Sequence, residues 1–137
     1  MNAITFFSLK GGTGKTTLCS SLGWLLAEEG HSVLMIDLDP QGHLTQSLQS
    51  RPATGQTSLY NFLIQDHSLV ESIIPTSQPN LSLIPATEEH LYLNTALMSQ
   101  PWREWKLKDA LATMVPFPYD WVFLDVGAGL NLLTYNA

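Results

Sequence analysis

The chain has 137 residues, of which 45% are apolar, 13% charged and 9% aromatic, and six Lys and Arg against twelve Asp and Glu give a formal charge of −6. That is the length of one domain with enough apolar material for a core, which excludes a disordered or collagen-like chain. The acidic balance excludes a basic nucleic-acid-binding stripe, the single Cys19 excludes an internal disulfide or a multi-cysteine metal site, and no apolar run approaches the roughly 18 residues of a membrane span.

Met1 to Phe7 lacks the basic leader of a secretory signal, so a cytoplasmic protein is expected. Ala3 to Ser8 is a short β-rich apolar run and predicts a buried strand. Residues 10–14 interrupt it with glycines. Thr16 to Glu29 predicts a helix, with Leu18, Leu22, Leu25 and Leu26 as its apolar stripe and Gly30 at the C-terminal cap. Val33 to Asp37 predicts a second buried strand that ends in a carboxylate. Strand, helix and strand in close succession make a βαβ unit and therefore a parallel sheet.

The stretch from Gly42 to Pro79 has a weaker pattern, with a short helix over Thr57 to Ile64 that groups Leu59, Phe62 and Leu63. Leu81 to Ile84 predicts a strand stopped by Pro85. Glu88 to Ser99 and Arg103 to Met114 predict two helices split by Pro101. The second buries Leu107, Ala110, Leu111 and Met114, and Glu104 and Lys108 stand at the spacing of an i,i+4 ion pair. Trp121 to Asp125 predicts another strand ending in Asp. Gly127 to Gly129 is a turn, and Leu130 to Asn136 begins a helix.

The segment Lys10-Gly11-Gly12-Thr13-Gly14-Lys15-Thr16-Thr17 joins the first strand to the first helix. A helix start offers free backbone N–H groups and a favourable dipole to an anion, and glycines let the backbone curl around phosphates. Lys15 is placed for the β- and γ-phosphates and the Thr16 hydroxyl for Mg²⁺. The ordinary Walker A pattern, G-x-x-x-x-G-K-[ST], requires glycine at position 9, where Leu9 stands, and an extra lysine precedes the glycines at Lys10.

This loop resembles the deviant Walker A of the ParA and MinD group of ATPases, and the resemblance continues along the chain. Asp37-Leu38-Asp39-Pro40-Gln41-Gly42 is similar to the matching segment of ParA-type partition ATPases. So are Ser58-Leu59-Tyr60, Ile74-Pro75-Thr76, residues 80–86 and residues 103–111. Tyr119-Asp120-Trp121-Val122-Phe123-Leu124-Asp125 resembles the Walker B strand, and Leu133-Thr134-Tyr135-Asn136-Ala137 resembles the helix after it. The resemblance implies an α/β P-loop NTPase domain with a doubly wound, mostly parallel sheet. Residues 1–137 then form a single partial domain, which stops soon after the Walker B strand.

The resemblance also implies roles. Lys10 is the signature lysine that reaches a partner subunit's nucleotide. Gly11, Gly12, Thr13, Gly14, Lys15, Thr16 and Thr17 cradle ATP. Thr16, Asp37 and Asp125 serve Mg²⁺ or its water shell, and Asp39 positions the attacking water. Phosphoryl transfer asks the protein mainly for positioning and charge neutralisation, which fits such a set. The implied function is ATP-dependent homodimerisation and slow hydrolysis that drives plasmid or chromosome partition or cargo positioning. A partition-partner protein is implied, and non-specific DNA binding only through the family's C-terminal half. Two alternatives are a truncated, non-cycling nucleotide-binding remnant and a related ATPase of cellulose synthesis or another membrane-associated process. One departure is that Gly127-Ala128 stands where the family usually has Pro-Pro.

Among smaller features, Cys19 reads as a small buried apolar residue, Trp24 as a packing residue opposite the leucines, and His43 as a solvated loop residue. Arg103, Lys106 and Lys108 alternate with acids and read as a solvated helix face. The family strand order places the Leu81 strand at one edge, then the Val33, Trp121 and Ala3 strands. Residues 4–7 would then form an open apolar edge, and the 137-residue chain alone is expected to be marginally stable, aggregated, swapped or paired with another polypeptide.

Overall fold

Val33-Leu34-Met35-Ile36 is an unbroken apolar run, and such a run forms a strand covered on both faces. A computed structural model describes residues 2–50, 52–101, 103–114 and 118–137, and there this run is strand β2 (Val33–Asp37), buried at every position. Met1, part of the stretch read as strand, lies outside the described residues. The other strands are β1 (Asn2–Phe6), β3 (Ile74–Pro75), β4 (Leu81–Ile84) and β5 (Trp121–Asp125). The helices are α1 (Lys15–Glu28), α2 (His43–Ser47), α3 (Leu59–Gln65), α4 (His90–Leu97), α5 (Lys106–Thr113) and α6 (Leu132–Asn136), with a 3₁₀ turn over Leu69–Ser72.

The sheet order is β1-β5-β2-β4-β3. β1, β5, β2 and β4 are parallel, and β3 runs antiparallel to β4. The Leu81 strand is therefore not the edge expected from the family order, because the short β3 lies outside it. Alternation along the strands divides the core in two. Leu34, Ile36, Val122 and Leu124 pack on one face with Leu59, Leu63, Leu93, Leu97, Leu107 and Leu111. Met35, Leu83 and Phe123 pack on the other with Cys19, Ala27, Leu44 and Leu48. Helices thus cover both faces, and the fold is an α/β P-loop architecture with a mostly parallel sheet.

Two expectations about buried faces are corrected. In α1 the residues on the sheet are Cys19, Gly23 and Ala27, spaced by four. Leu18, Leu22 and Leu25 are 54%, 38% and 54% exposed, and only Leu26 of the expected stripe packs against the core. The cause is closeness: an added Cβ at Gly23 would stand 1.9 Å from Met35 Cε and 3.4 Å from Phe123 Cδ2, so small residues face inward and leucines turn away. β1 is likewise not a buried strand, since four of its five residues are exposed and its outer side carries no strand among the described residues.

Trp24 is half-buried against the core, and its indole N–H donates to Glu28 at 2.9 Å. The expected Glu104–Lys108 pair is also replaced. Helix α5 begins only at Lys106, so Glu104 turns to Arg103 at 3.1 Å, while Lys108 lies 4.7 Å from the Trp105 ring centroid. Lys106 donates to the Leu63 carbonyl at 2.7 Å and pairs with Asp66 at 3.5 Å, which ties α5 to α3 instead of leaving a free cationic face. No helix among the described residues is long and apolar enough to cross a membrane.

Gly23 offers a direct check on the α1 interface. Gly23→Leu overpacks it and is expected to cost on the order of 1–3 kcal/mol. Gly23→Ala is expected to be close to neutral, because the mobile Met35 methyl can swing aside and a helical alanine gains about 1 kcal/mol over glycine. Denaturant melts of both variants measure the difference.

Candidate functional site

Beyond β1 the chain turns back on itself before entering α1. Gly12 and Gly14 have φ of +72° and +85°, which side-chain-bearing residues rarely adopt. An added Cβ at either would meet nothing within 4 Å, so glycine is required here by backbone conformation and not by crowding. The Ser8 hydroxyl pins the loop: it donates to the Lys10 carbonyl at 2.7 Å, lies 2.9 Å from the Thr13 hydroxyl and accepts from Lys15 Nζ at 3.2 Å. Lys15 to Thr17 form the first turn of α1, whose amides have no partner earlier in the helix and face the adjoining cleft.

Behind the cleft lining stand the strand ends. At the end of β5, Asp125 is fully buried and its Oδ2 accepts from the Thr16 hydroxyl at 2.6 Å. Its Oδ1 is buried with no hydrogen-bond partner. Burial holds the Asp125 carboxyl above the usual carboxylate range, and the Thr16 hydrogen bond opposes that shift. Beyond β2, Asp39 Oδ1 accepts the Gln41 N–H at 2.9 Å, and Asp39 lines the cleft opposite the glycine loop. Gly127 closes this side. A Cβ there would sit 3.4 Å from Asp39 Cγ and Oδ1, so glycine leaves the carboxylate unclamped where a larger residue would touch it. The cleft holds about 870 Å³. A second cavity, of about 700 Å³ between α3 and α5, has mostly apolar walls and lacks such convergent donors.

Lys15, Thr16 and Asp39 therefore converge on one cleft with the residues of the 11–17 loop, and Lys10 is exposed at the loop's start. No cluster of three His, Cys, Asp or Glu among the described residues could hold a metal by itself. Magnesium commonly takes one or two protein groups together with substrate phosphates, and the Thr16 hydroxyl with the partnerless Asp125 Oδ1 fits that pattern. Asp37, for which the resemblance implies a part in the water shell of Mg²⁺, has both oxygens occupied by protein donors. Its Oδ2 accepts the Thr45 N–H at 2.8 Å and the Thr45 hydroxyl at 2.6 Å, and its Oδ1 accepts the Asp39 N–H at 3.2 Å. Neither Asp37 nor Asp125 lines the cleft directly; α2 begins soon after Asp37 and turns Thr45 onto its carboxylate, whereas Asp125 lies behind Thr16.

A protein-family model described as an AAA domain matches residues 1–137. The chain belongs to this AAA-domain family, in its ParA-type branch. The ParA-type chain is 40% identical over 132 residues to the cell division protein PomZ of Myxococcus xanthus, across 96% of this chain and 41% of that one. It is 36% identical over 138 residues to the chromosome partitioning protein ParA of Caulobacter vibrioides, across 100% of this chain and 52% of that one. The crystal structure of cobyrinic acid a,c-diamide synthase from Mycobacterium smegmatis with bound ADP and magnesium matches with a TM-score of 0.90 at 34% identity, over 99% of this chain and 55% of that one. The chain spans about half the length of the curated relatives it matches.

Several cleft residues of this ParA-type chain escape sequence reading. Ser20, Ser47 and Asn131 line the cleft. His43 is exposed, as expected, yet it faces the cleft from the first position of α2. Asn131 could have been found as a helix cap, since its side chain accepts the Thr134 N–H at 3.0 Å at the start of α6. Ser20 and Ser47 carry no such signal.

Two buried groups behind the cleft make stability depend on pH in opposite senses. Burial pushes the His90 imidazole down from 6.5 to about 4, against the Asp37 main chain and the Glu89 charge. Burial pushes the Asp37 carboxyl up from 3.8 to about 6, against its hydrogen bonds from Thr45. Between about pH 4 and 6.5 the unfolded chain binds a proton at His90 that the folded chain refuses, so the His90 contribution is lost as pH falls. Over a similar window the folded chain holds a proton on Asp37 that the unfolded chain releases, so this contribution is lost as pH rises. His90→Gln is expected to leave only the second slope. The stability advantage of wild type over this variant should grow by up to about 3 kcal/mol from pH 4 to pH 6.5. Urea melts across that range measure it.

Proposed function

We propose that this chain is the nucleotide-binding portion of a ParA-like ATPase that binds Mg·ATP, dimerises with ATP and hydrolyses it slowly. The cycle would serve plasmid or chromosome partition or the positioning of another cargo, in the cytoplasm, with a partition-partner protein as stimulator. Any contact with non-specific DNA belongs to the part of such ATPases beyond this portion. One observation carries the reading: the Thr16 hydroxyl bonded to the buried Asp125 beneath a glycine loop, with Asp39 facing them across the cleft. The names of the relatives, a cell division protein and a chromosome partitioning protein, support it, as do the ADP and magnesium bound by the Mycobacterium smegmatis synthase.

In this reading the amides of residues 11–17 and the Lys15 ammonium hold the phosphates. Thr16 and Asp125 would hold Mg²⁺. When bound, the metal neutralises charge that develops on the phosphates. Asp39 orients the attacking water, which needs little proton affinity from the carboxylate because positioning supplies most of the rate. Lys10 is exposed and plays no part in fixing its own loop through its side chain, so it is available to a facing subunit's nucleotide. A second reading, a nucleotide-binding remnant that does not cycle, is favoured by Gly127, which leaves the Asp39 carboxylate without a lateral contact.

Titration calorimetry with Mg·ATP tests the site. Lys15→Ala is expected to weaken binding by roughly 10- to 100-fold through the loss of a charge-assisted hydrogen bond. Equal heats from wild type and variant would refute the assignment. Asp39→Ala is expected to bind ATP like wild type and to lose turnover by roughly 100-fold or more. Lys10→Ala is expected to keep ATP affinity and lose ATP-induced dimers in light scattering, so persistence of those dimers would rule out the trans role.

A further inference from the structure

Thr45 is buried in α2 and does not line the cleft, and no motif singles it out. It nevertheless links the ends of two strands. Its N–H and its hydroxyl both donate to Asp37 Oδ2, at 2.8 Å and 2.6 Å. Its Oγ1 accepts the Ala86 N–H at 2.9 Å, just past the end of β4. The other oxygen of Asp37 accepts the Asp39 N–H at 3.2 Å. A continuous run of hydrogen bonds thus leads from the β4 end through Thr45 and Asp37 to the backbone of Asp39.

We propose that Thr45 is a positioning residue for Asp39. This rests on the reading above that Asp39 orients the attacking water. Asp39 leaves β2 into a loop, where its direction depends on the backbone at that residue. Apart from the turn closed by Gln41 and Gly42, that backbone is anchored by the Asp39 N–H on Asp37. Asp37 in turn is a fully buried carboxylate with no ion-pair partner among the described residues, so its orientation is set by hydrogen-bond donors. Thr45 supplies both donors on Oδ2, and its hydroxyl also satisfies the Ala86 amide. Without that hydroxyl, Ala86 loses its acceptor and Asp37 keeps only the Thr45 N–H on Oδ2, so the carboxylate that holds Asp39 is less firmly fixed. The phosphate loop belongs to other strands, so ATP binding is left alone.

The test uses the full chain with Thr45→Val, which keeps the shape and removes the hydroxyl, and Thr45→Ser, which keeps the hydroxyl. Thr45→Val is expected to lower ATP turnover at least tenfold with ATP affinity, by calorimetry, within about twofold of wild type, and Thr45→Ser is expected to restore most of the turnover. Hydrogen exchange followed by NMR gives a readout without nucleotide. The Asp39 and Ala86 amides should exchange at least tenfold faster in Thr45→Val, while Leu34 to Ile36 in β2 remain as in wild type. Wild-type turnover and exchange in Thr45→Val would overturn the proposal, and so would a parallel loss of affinity and turnover. Should Thr45→Val fail to fold, wild-type exchange decides: an Asp39 amide as fast as exposed loop amides overturns the anchor, and one protected like β2 supports it. Asp39→Ala separates the two readings. If it is inactive while Thr45→Val is active, only the positioning role falls. If Asp39→Ala turns over normally, or wild type shows no turnover, the parent reading falls and takes this one with it.

Discussion

In the parallel pairing of β1, β5 and β2, Phe6, Asp125 and Asp37 stand side by side in register. Three strands therefore end at one level, and three loops leave the sheet together: the glycine loop, the turn at Gly127 and the loop that carries Asp39. Parallel strands give every loop at that end the same polarity, with the chain leaving a strand and heading for a helix. The first turn of α1 can then face two strand-end carboxylates without any contact between residues near in sequence. Thr16 and Asp125 meet across 109 positions of chain.

That arrangement carries an electrostatic difficulty. Asp37 and Asp125 are both fully buried, adjacent in register and of like charge. Buried carboxylates are tolerated when donors surround them. The two are treated differently. Asp37 is saturated on both oxygens from its own side of the sheet, whereas Asp125 has one oxygen satisfied and one bare. The first condition suits a residue that holds other parts in place. The second leaves an acceptor of Asp125 without a protein donor. Burial acts on both carboxyls in the same direction, so what distinguishes them is their donors and not their depth.

Much of this was legible in the sequence, because the relevant signals are short and local. Strand runs such as Val33 to Ile36 and Trp121 to Leu124, the glycines before Lys15 and the carboxylates at strand ends are each confined to a few consecutive residues. Where reading failed, the deciding quantity was a distance between segments. A helical wheel ranks Leu18, Leu22 and Leu25 as the inner face by hydrophobicity, but the gap above Met35 admits only Cys19, Gly23 and Ala27. The two-residue β3 and the five-residue α2 are too short to show a period. Asp37 and Asp125 look alike in sequence, each the last residue of an apolar strand. Only Thr45, eight residues further on and folded back, separates their roles.

Cys19 is the single thiol of the chain, and it lies in α1 one turn after Lys15 and Thr16, fully buried against the sheet. Burial first, and then the charges of Asp125 and Asp37, push its thiol up, so the reactive thiolate is suppressed while the helix is seated. An alkylating reagent meets no usable sulfur in the closed state. When α1 lifts, water reaches the thiol, its acidity returns to the ordinary range and labelling can proceed. With no second thiol in this sequence to add background, each labelled molecule counts one opening, local or global, that exposes the inner face of α1. The small residue needed to fit that helix close to the sheet is thereby also a built-in gauge of how often the fit is lost.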